Sequence, residues 1–128
     1  MTIRLVRLGT ARSSKEGLRI GTVRRPPRGV PKTEYAARDY YDVWLPNLAP
    51  SDGLMKLGKA VKNDKEWAVF AKKYRAEMAT PDKRRVIELL AGLSHTANFS
   101  VGCYCEVESR CHRSVLRGLL FEHGATIG

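Results

Sequence analysis

The 128-residue sequence predicts an α/β fold: one compact domain over residues 1–128, with a small, mostly parallel sheet flanked by helices. Three observations lead there. The front of the chain alternates apolar and polar residues over short stretches. The middle carries apolar residues at helical spacing. The last third runs strand, tight turn, helix. A chain of this length buries about two-thirds of its extended surface, enough for one core without disulfide staples.

Thr2 to Leu8 is the first expected strand, with Ile3, Leu5 and Leu8 apolar and Arg4 and Arg7 not. Gly9 to Ser14 is a loop, and Leu18 to Arg24 a second strand. The Pro26-Pro27 pair then ends regular structure, because consecutive prolines donate no ladder hydrogen bonds. Tyr40 to Leu45 is aromatic and β-branched, and Pro46 stops this third extended segment. Pro50-Ser51-Asp52 caps a helix bearing Leu54, Leu57 and Val61. Asn63 and Glu66 have the spacing of a capping box. Trp67, Phe70, Ala71, Tyr74 and Met78 then form one apolar stripe, with Lys65, Lys72, Lys73 and Arg75 off it. Thr80-Pro81 opens another helix carrying Val86, Leu89, Leu90 and Leu93. Asn98 to Cys105 is a strand whose Phe99, Val101, Cys103 and Cys105 share one face. Ser114 to Glu122 is the final helix, and Ala125 to Ile127 suggests a terminal strand.

Composition narrows the function. No apolar run approaches the roughly 20 residues of a membrane-spanning helix, and no signal peptide is evident, so a cytoplasmic protein with no membrane partner is expected. Three cysteines within nine positions do not read as a secreted disulfide framework; in a reducing compartment such a cluster is metal-binding, catalytic or redox-active. The net charge is +10, and residues 1–32 hold nine basic side chains against one acid, Glu16. That field attracts phosphates, although a basic surface that only confers solubility has the same composition.

The chemistry concentrates at the turn after the last strand, Cys103-Tyr104-Cys105 through Cys111-His112-Arg113. In an α/β sheet this position is the carboxyl edge, where functional groups gather. One reading is a thiolate at a helix mouth. Cys111 lies near the expected amino terminus, and Arg110, His112 and Arg113 add positive charge that lowers a thiol pKa. The same N–H groups and arginines suit a phosphate or carboxylate. A second reading makes Cys103, Cys105, Cys111 and His112 four zinc ligands, though the two-residue gaps of zinc knuckles are absent. The plainest reading makes Cys103 and Cys105 small buried hydrophobes on a core strand. Elsewhere, His95 and His123 read as surface or helix-end residues. Asp42 is either an exposed carboxylate or a buried partner for an arginine. Arg25 and Arg28 flank a rigid turn able to aim guanidinium groups at an anion.

Several segments resemble a known bacterial family. They are Pro27-Arg28-Gly29, Trp44-Leu45, Leu48-Ala49-Pro50-Ser51, Trp67, Phe70, Tyr74-Arg75-Ala76-Glu77, Cys105-Glu106 and Cys111-His112-Arg113-Ser114. Together they are similar to domain of unknown function 488, and in particular its YeaO-like branch. Pro26 stands where that branch carries tryptophan, and the branch often lacks the cysteine pair. The resemblance implies a compact α/β fold, with the arginine turn and the cysteine turn as parts of one pocket. It implies no assigned activity.

The expected function is therefore an enzyme-like pocket for a small anionic or phosphorylated ligand. Cys111 or Cys105 is the candidate reactive thiol and His112 tunes protonation. Arg28, Arg110, Arg113 and Ser114 are the candidate anion holders. No cofactor is called for. The rivals are a nucleic-acid-binding module using the basic N-terminal third and a structural zinc protein. Against the first, the basic residues lack interleaved aromatic side chains.

Overall fold

The computed structural model describes all of residues 1–128. Four strands, β1 (Ile3–Arg7), β2 (Leu18–Gly21), β3 (Val43–Trp44) and β4 (Phe99–Cys103), form one sheet in the order β1-β4-β2-β3, with every pairing parallel. The expected α/β class with a parallel sheet is what the chain adopts. Ile127 adds an isolated parallel bridge to Ile3, which is all that forms of the terminal strand.

Four helices follow the expected order: α1 (Asp52–Ala60), α2 (Asp64–Met78), α3 (Pro81–Leu93) and α4 (His112–Glu122). Their starts follow from local chemistry. Ser51 Oγ accepts the Leu54 N–H, and Asn63 Oδ1 accepts the Glu66 N–H, each satisfying a donor the first helical turn leaves free. Glu66 reaches back to the N–H of Lys62 rather than of Asn63, a capping box displaced by one residue. Thr80 makes no side-chain cap; its hydroxyl donates to the Glu77 carbonyl instead.

The helices lie on one sheet face. Ile3, Ile20, Phe99 and Val101 point into a core completed by Phe70, Tyr74 and Met78 of α2, Ile87 and Leu90 of α3, and Leu116 and Leu120 of α4. The other face carries the residues of opposite parity, including Arg19, Gly21, Ser100 and Gly102. Loops rather than helices cover it. The Arg19 guanidinium donates to the carbonyls of Thr10 and Asp39, drawing residues 8–17 and 35–42 down onto the strands. Gly21 is required there: a Cβ at this position would stand 2.4 Å from the Tyr41 ring. So both faces of this parallel sheet are closed, as its unbroken burial along β4 demands.

Beneath those loops lies a buried ion pair. Arg19 Nε and Nη2 meet the Glu16 carboxylate at 2.6 and 2.9 Å, and Ser100 Oγ donates to the same carboxylate at 2.6 Å. The two side chains are 1% and 3% exposed. The Ser13 N–H completes the carboxylate's partners.

Candidate functional site

The strands end together at one edge. Leu8 N–H bonds to the Cys103 carbonyl and Thr22 N–H to the Gly102 carbonyl, after which neither neighbour of β4 offers further ladder partners. That is why β4 stops at Cys103 instead of continuing to Cys105 as its alternation suggests. The Cys105 N–H turns back to the Cys103 sulfur at 3.4 Å. The chain then forms a short 3-10 turn over Glu108–Arg110 and enters α4 two residues earlier than expected. Cys111 is the N-cap, its sulfur accepting the Arg113 N–H at 3.5 Å.

This turn gathers three thiols and an imidazole. Cys103 and Cys111 are each 2% exposed, their sulfurs 2.6 Å apart, within a pocket of Leu8, Val23 and Tyr41. Cys105 is exposed. His112 is buried beside the Tyr74 ring, whose centroid is 5.5 Å away, and Tyr74 itself is held by the Leu48 carbonyl. The Nε2–H of His112 donates to the Thr22 carbonyl at 2.8 Å. This fixes the tautomer and leaves the Nδ1 lone pair 3.8 Å from Cys111 Sγ, in position to accept a thiol proton.

Arg113 is 4% exposed and faces no carboxylate; one Nη2–H donates to the Cys105 carbonyl at 2.7 Å, and its Nε has no partner. A buried guanidinium requires a counter-charge. Hydrogen bonds from Cys103 and Cys111, more than enough to offset burial, hold the Cys105 thiol well below the ordinary range, and the charge of Arg113 pulls it the same way. Cys103 is driven upward by its hydrogen bonds to Cys105 and Cys111 and by burial. Cys111 is pushed up to about 11: the Cys103 contact opposes the rise, but donation to Cys105 and burial outweigh it. Burial lowers His112 to about 4, against the pull of the Thr22 carbonyl, so its imidazole is neutral at neutral pH.

The expected anion holders do not converge. Arg113 alone lies within the thiol cluster. Arg110 is drawn away by Asp64 and the Asn63 carbonyl, and its guanidinium lies 6.0 Å from the centre of the Trp67 ring. Arg28 is exposed and makes no hydrogen bond, while Ser114 Oγ is occupied by the Cys111 carbonyl. The arginine turn does touch the cysteine turn, through the Tyr104 hydroxyl on the Arg25 carbonyl. Asp42 is an arginine partner, bound by both Nη atoms of Arg12 at 2.7 and 3.0 Å and by the Arg19 N–H.

A cleft of about 300 Å³ opens beside Tyr104, lined by Arg7, Leu8, Gly9, Thr10 and Tyr40. A larger hollow of about 430 Å³ lies between α1 and α2, around Leu54, Leu57 and Glu77, but holds no nucleophile or thiol. The cleft at the carboxyl edge is the one adjoining the chemistry. Cys103, Cys111 and His112 also place three metal-ligating atoms within 4.8 Å of one another. A tetrahedral zinc with bonds of about 2.3 Å would hold its sulfurs about 3.8 Å apart. The observed 2.6 Å separation is well short of that spacing, so the pair as placed does not bracket a metal ion.

A family model described as the active DUF488-N3 subclade matches residues 3–124. The chain belongs to the DUF488 family. No curated protein and no solved structure gave a match. In this DUF488 protein, Thr22, Tyr74 and Arg7 border the candidate site without having been singled out from the sequence, and Tyr104 was placed in the turn without a role. Nothing in the spacing of Thr22 marks it, because its role is a backbone carbonyl. Tyr104 carried a signal: it stands between two cysteines at the end of a strand.

Proposed function

We propose that this DUF488 protein is a cytoplasmic enzyme that binds a small anionic or phosphorylated ligand and acts on it through the Cys105 thiolate. The observation that carries this reading is an exposed thiol on the residue whose carbonyl holds a buried guanidinium that has no carboxylate of its own. The charge of Arg113 favours Cys105 as a thiolate and gives an anion a positive field to approach. The cleft beside Tyr104 seats the ligand, with Arg7 on its rim. Two buried polar atoms without partners, Tyr41 Oη and Arg113 Nε, both lie at this edge. The family model's description as an active subclade agrees with an enzyme. No helix is long and apolar enough to cross a membrane, which is compatible with the proposed compartment.

The nucleic-acid reading has weaker support, because much of the N-terminal basic charge is engaged internally. Arg7 meets Glu106, Arg12 meets Asp42 and Asp39, Arg19 meets Glu16, and Arg25 meets Asp52.

Protection by an anion tests the ligand class. Millimolar inorganic phosphate, at matched ionic strength, is expected to slow alkylation of Cys105 by iodoacetamide, and Arg113→Gln is expected to abolish that protection. Equal rates with phosphate and with chloride would remove the anion-binding part of the reading.

A further inference from the structure

The Cys105 reading leaves two buried thiols without a task. Cys103 and Cys111 touch each other and are shielded from solvent by Leu8, Val23 and Tyr41, and the backbone N–H of exposed Cys105 donates to the Cys103 sulfur at 3.4 Å. We propose that the three thiols form a peroxide-responsive relay in which Cys105 is oxidised at the surface and the oxidation passes inward to end as a Cys103–Cys111 disulfide. The inference rests on Cys105 being the reactive thiol.

Geometry assigns the roles. Only Cys105 is open to an oxidant. A solvent-accessible thiol placed next to resolving thiols is the arrangement in which a sulfenic acid is captured before it oxidises further. Cys111 is the first resolving residue, because six positions separate it from Cys105 and the intervening turn can close over a disulfide. A Cys103–Cys105 bridge would have to span one intervening residue. His112 Nδ1, 3.8 Å from Cys111 Sγ and free of other partners, takes the proton as that sulfur attacks.

The steps balance with a hydroperoxide as oxidant. The Cys105 thiolate attacks the distal peroxide oxygen; an S–O bond forms, the O–O bond breaks, and the alkoxide or hydroxide leaves and is protonated. Cys111 then attacks the Cys105 sulfenic acid, forming the Cys105–Cys111 disulfide and releasing water. Finally Cys103 gives its proton to His112, free again once water has left, and attacks Cys111 Sγ, already in contact with it. This forms the buried disulfide and expels Cys105 as a thiolate, the best leaving group of the three because it is the most acidic. Overall two thiols and one hydroperoxide give one disulfide, one alcohol or water, and one further water.

The test treats the reduced full-length protein with one molar equivalent of hydrogen peroxide. Unreacted thiols are then alkylated and the tryptic peptides mapped without reduction. Cleavage after Arg110 separates Cys111 from the peptide holding Cys103 and Cys105, so the alkyl group reports which of those two is bridged. The expected result is a fall from three thiols to one, that one being Cys105. Cys105→Ser is expected to slow disulfide formation at least about tenfold, and Cys103→Ser to stop the sequence at a Cys105–Cys111 bridge. Cys105 advancing to sulfinic acid while Cys103 and Cys111 stay reduced would overturn the relay and leave Cys105 standing as the reactive thiol. Disulfide formed as fast in Cys105→Ser would overturn the relay too. A Cys105 inert to both peroxide and iodoacetamide would instead remove the reading beneath it.

Discussion

Arg19→Met is expected to cost about 3–5 kcal/mol of folding free energy, a large part of the roughly 5–15 kcal/mol that a domain of this size commands. The substitution keeps most of the side-chain volume but leaves the Glu16 carboxylate, 3% exposed, without its guanidinium. Ser100 and the Ser13 N–H still donate to it, which does not neutralise a buried charge. Two loop carbonyls, those of Thr10 and Asp39, lose their donors as well. Urea unfolding checks the magnitude. The double variant Glu16→Gln with Arg19→Met is expected to lose less than the single, because no charge is stranded. A loss below about 1 kcal/mol in the single variant would place the pair in solvent contact. The consequence reaches the site: the loops that Arg19 anchors supply Gly9, Thr10 and Tyr40 to the cleft beside Tyr104.

The second large effect is a dependence of stability on pH. Burial lowers the His112 pKa from 6.5 to about 4 in the folded protein. Between those values the unfolded chain binds a proton that the native protein excludes, so stability falls as pH drops through the window. It is fully present above the unfolded pKa of 6.5, and the loss is complete below the folded value of about 4. The interval corresponds to about 3 kcal/mol. Equilibrium unfolding at pH 7 and at pH 5 reads most of this change before Glu16, whose pKa lies below 4.5, begins to protonate. His112→Gln, able to keep a donor on the Thr22 carbonyl, is expected to flatten the profile over that range. A wild-type curve already flat there would mean that the imidazole charges freely in the native state.

Much of the fold was legible because single residues dictate it. Ser51 and Asn63 mark their helices as side-chain caps, and the stripe from Trp67 to Met78 faces the core through Phe70, Tyr74 and Met78. The start of α4 was misplaced because its cap is a cysteine, a residue outside the usual capping set. The end of β4 was misplaced because a ladder stops where its neighbours stop, which alternation within one strand does not encode. The third extended segment bonds to β2 only from the Asp42 N–H to the Leu45 N–H, since the Arg19 N–H before it is taken by the Asp42 side chain instead of a backbone carbonyl. The candidate site was legible as a location, the cysteine turn. Which thiol is exposed was not, since the cationic neighbours Arg110, His112 and Arg113 pointed to Cys111 as the open one, whereas the fold buries Cys111 and exposes Cys105. The buried pair had a faint signal: Glu16 is the sole acid among the first 32 residues, three positions before Arg19.

The central claim is that Cys105 stands at the surface as a thiolate balanced by Arg113. The rate of iodoacetamide alkylation at Cys105, followed by mass spectrometry from pH 4 to 9, measures it directly. Speed alone is a poor guide, because a thiolate of low pKa is also a weaker nucleophile, with a Brønsted coefficient of about 0.4–0.5. The shape of the profile decides. The account predicts a rate nearly constant between about pH 5 and 8. A rate that falls about tenfold for each pH unit below about 8.5, as for a free thiol, would contradict it.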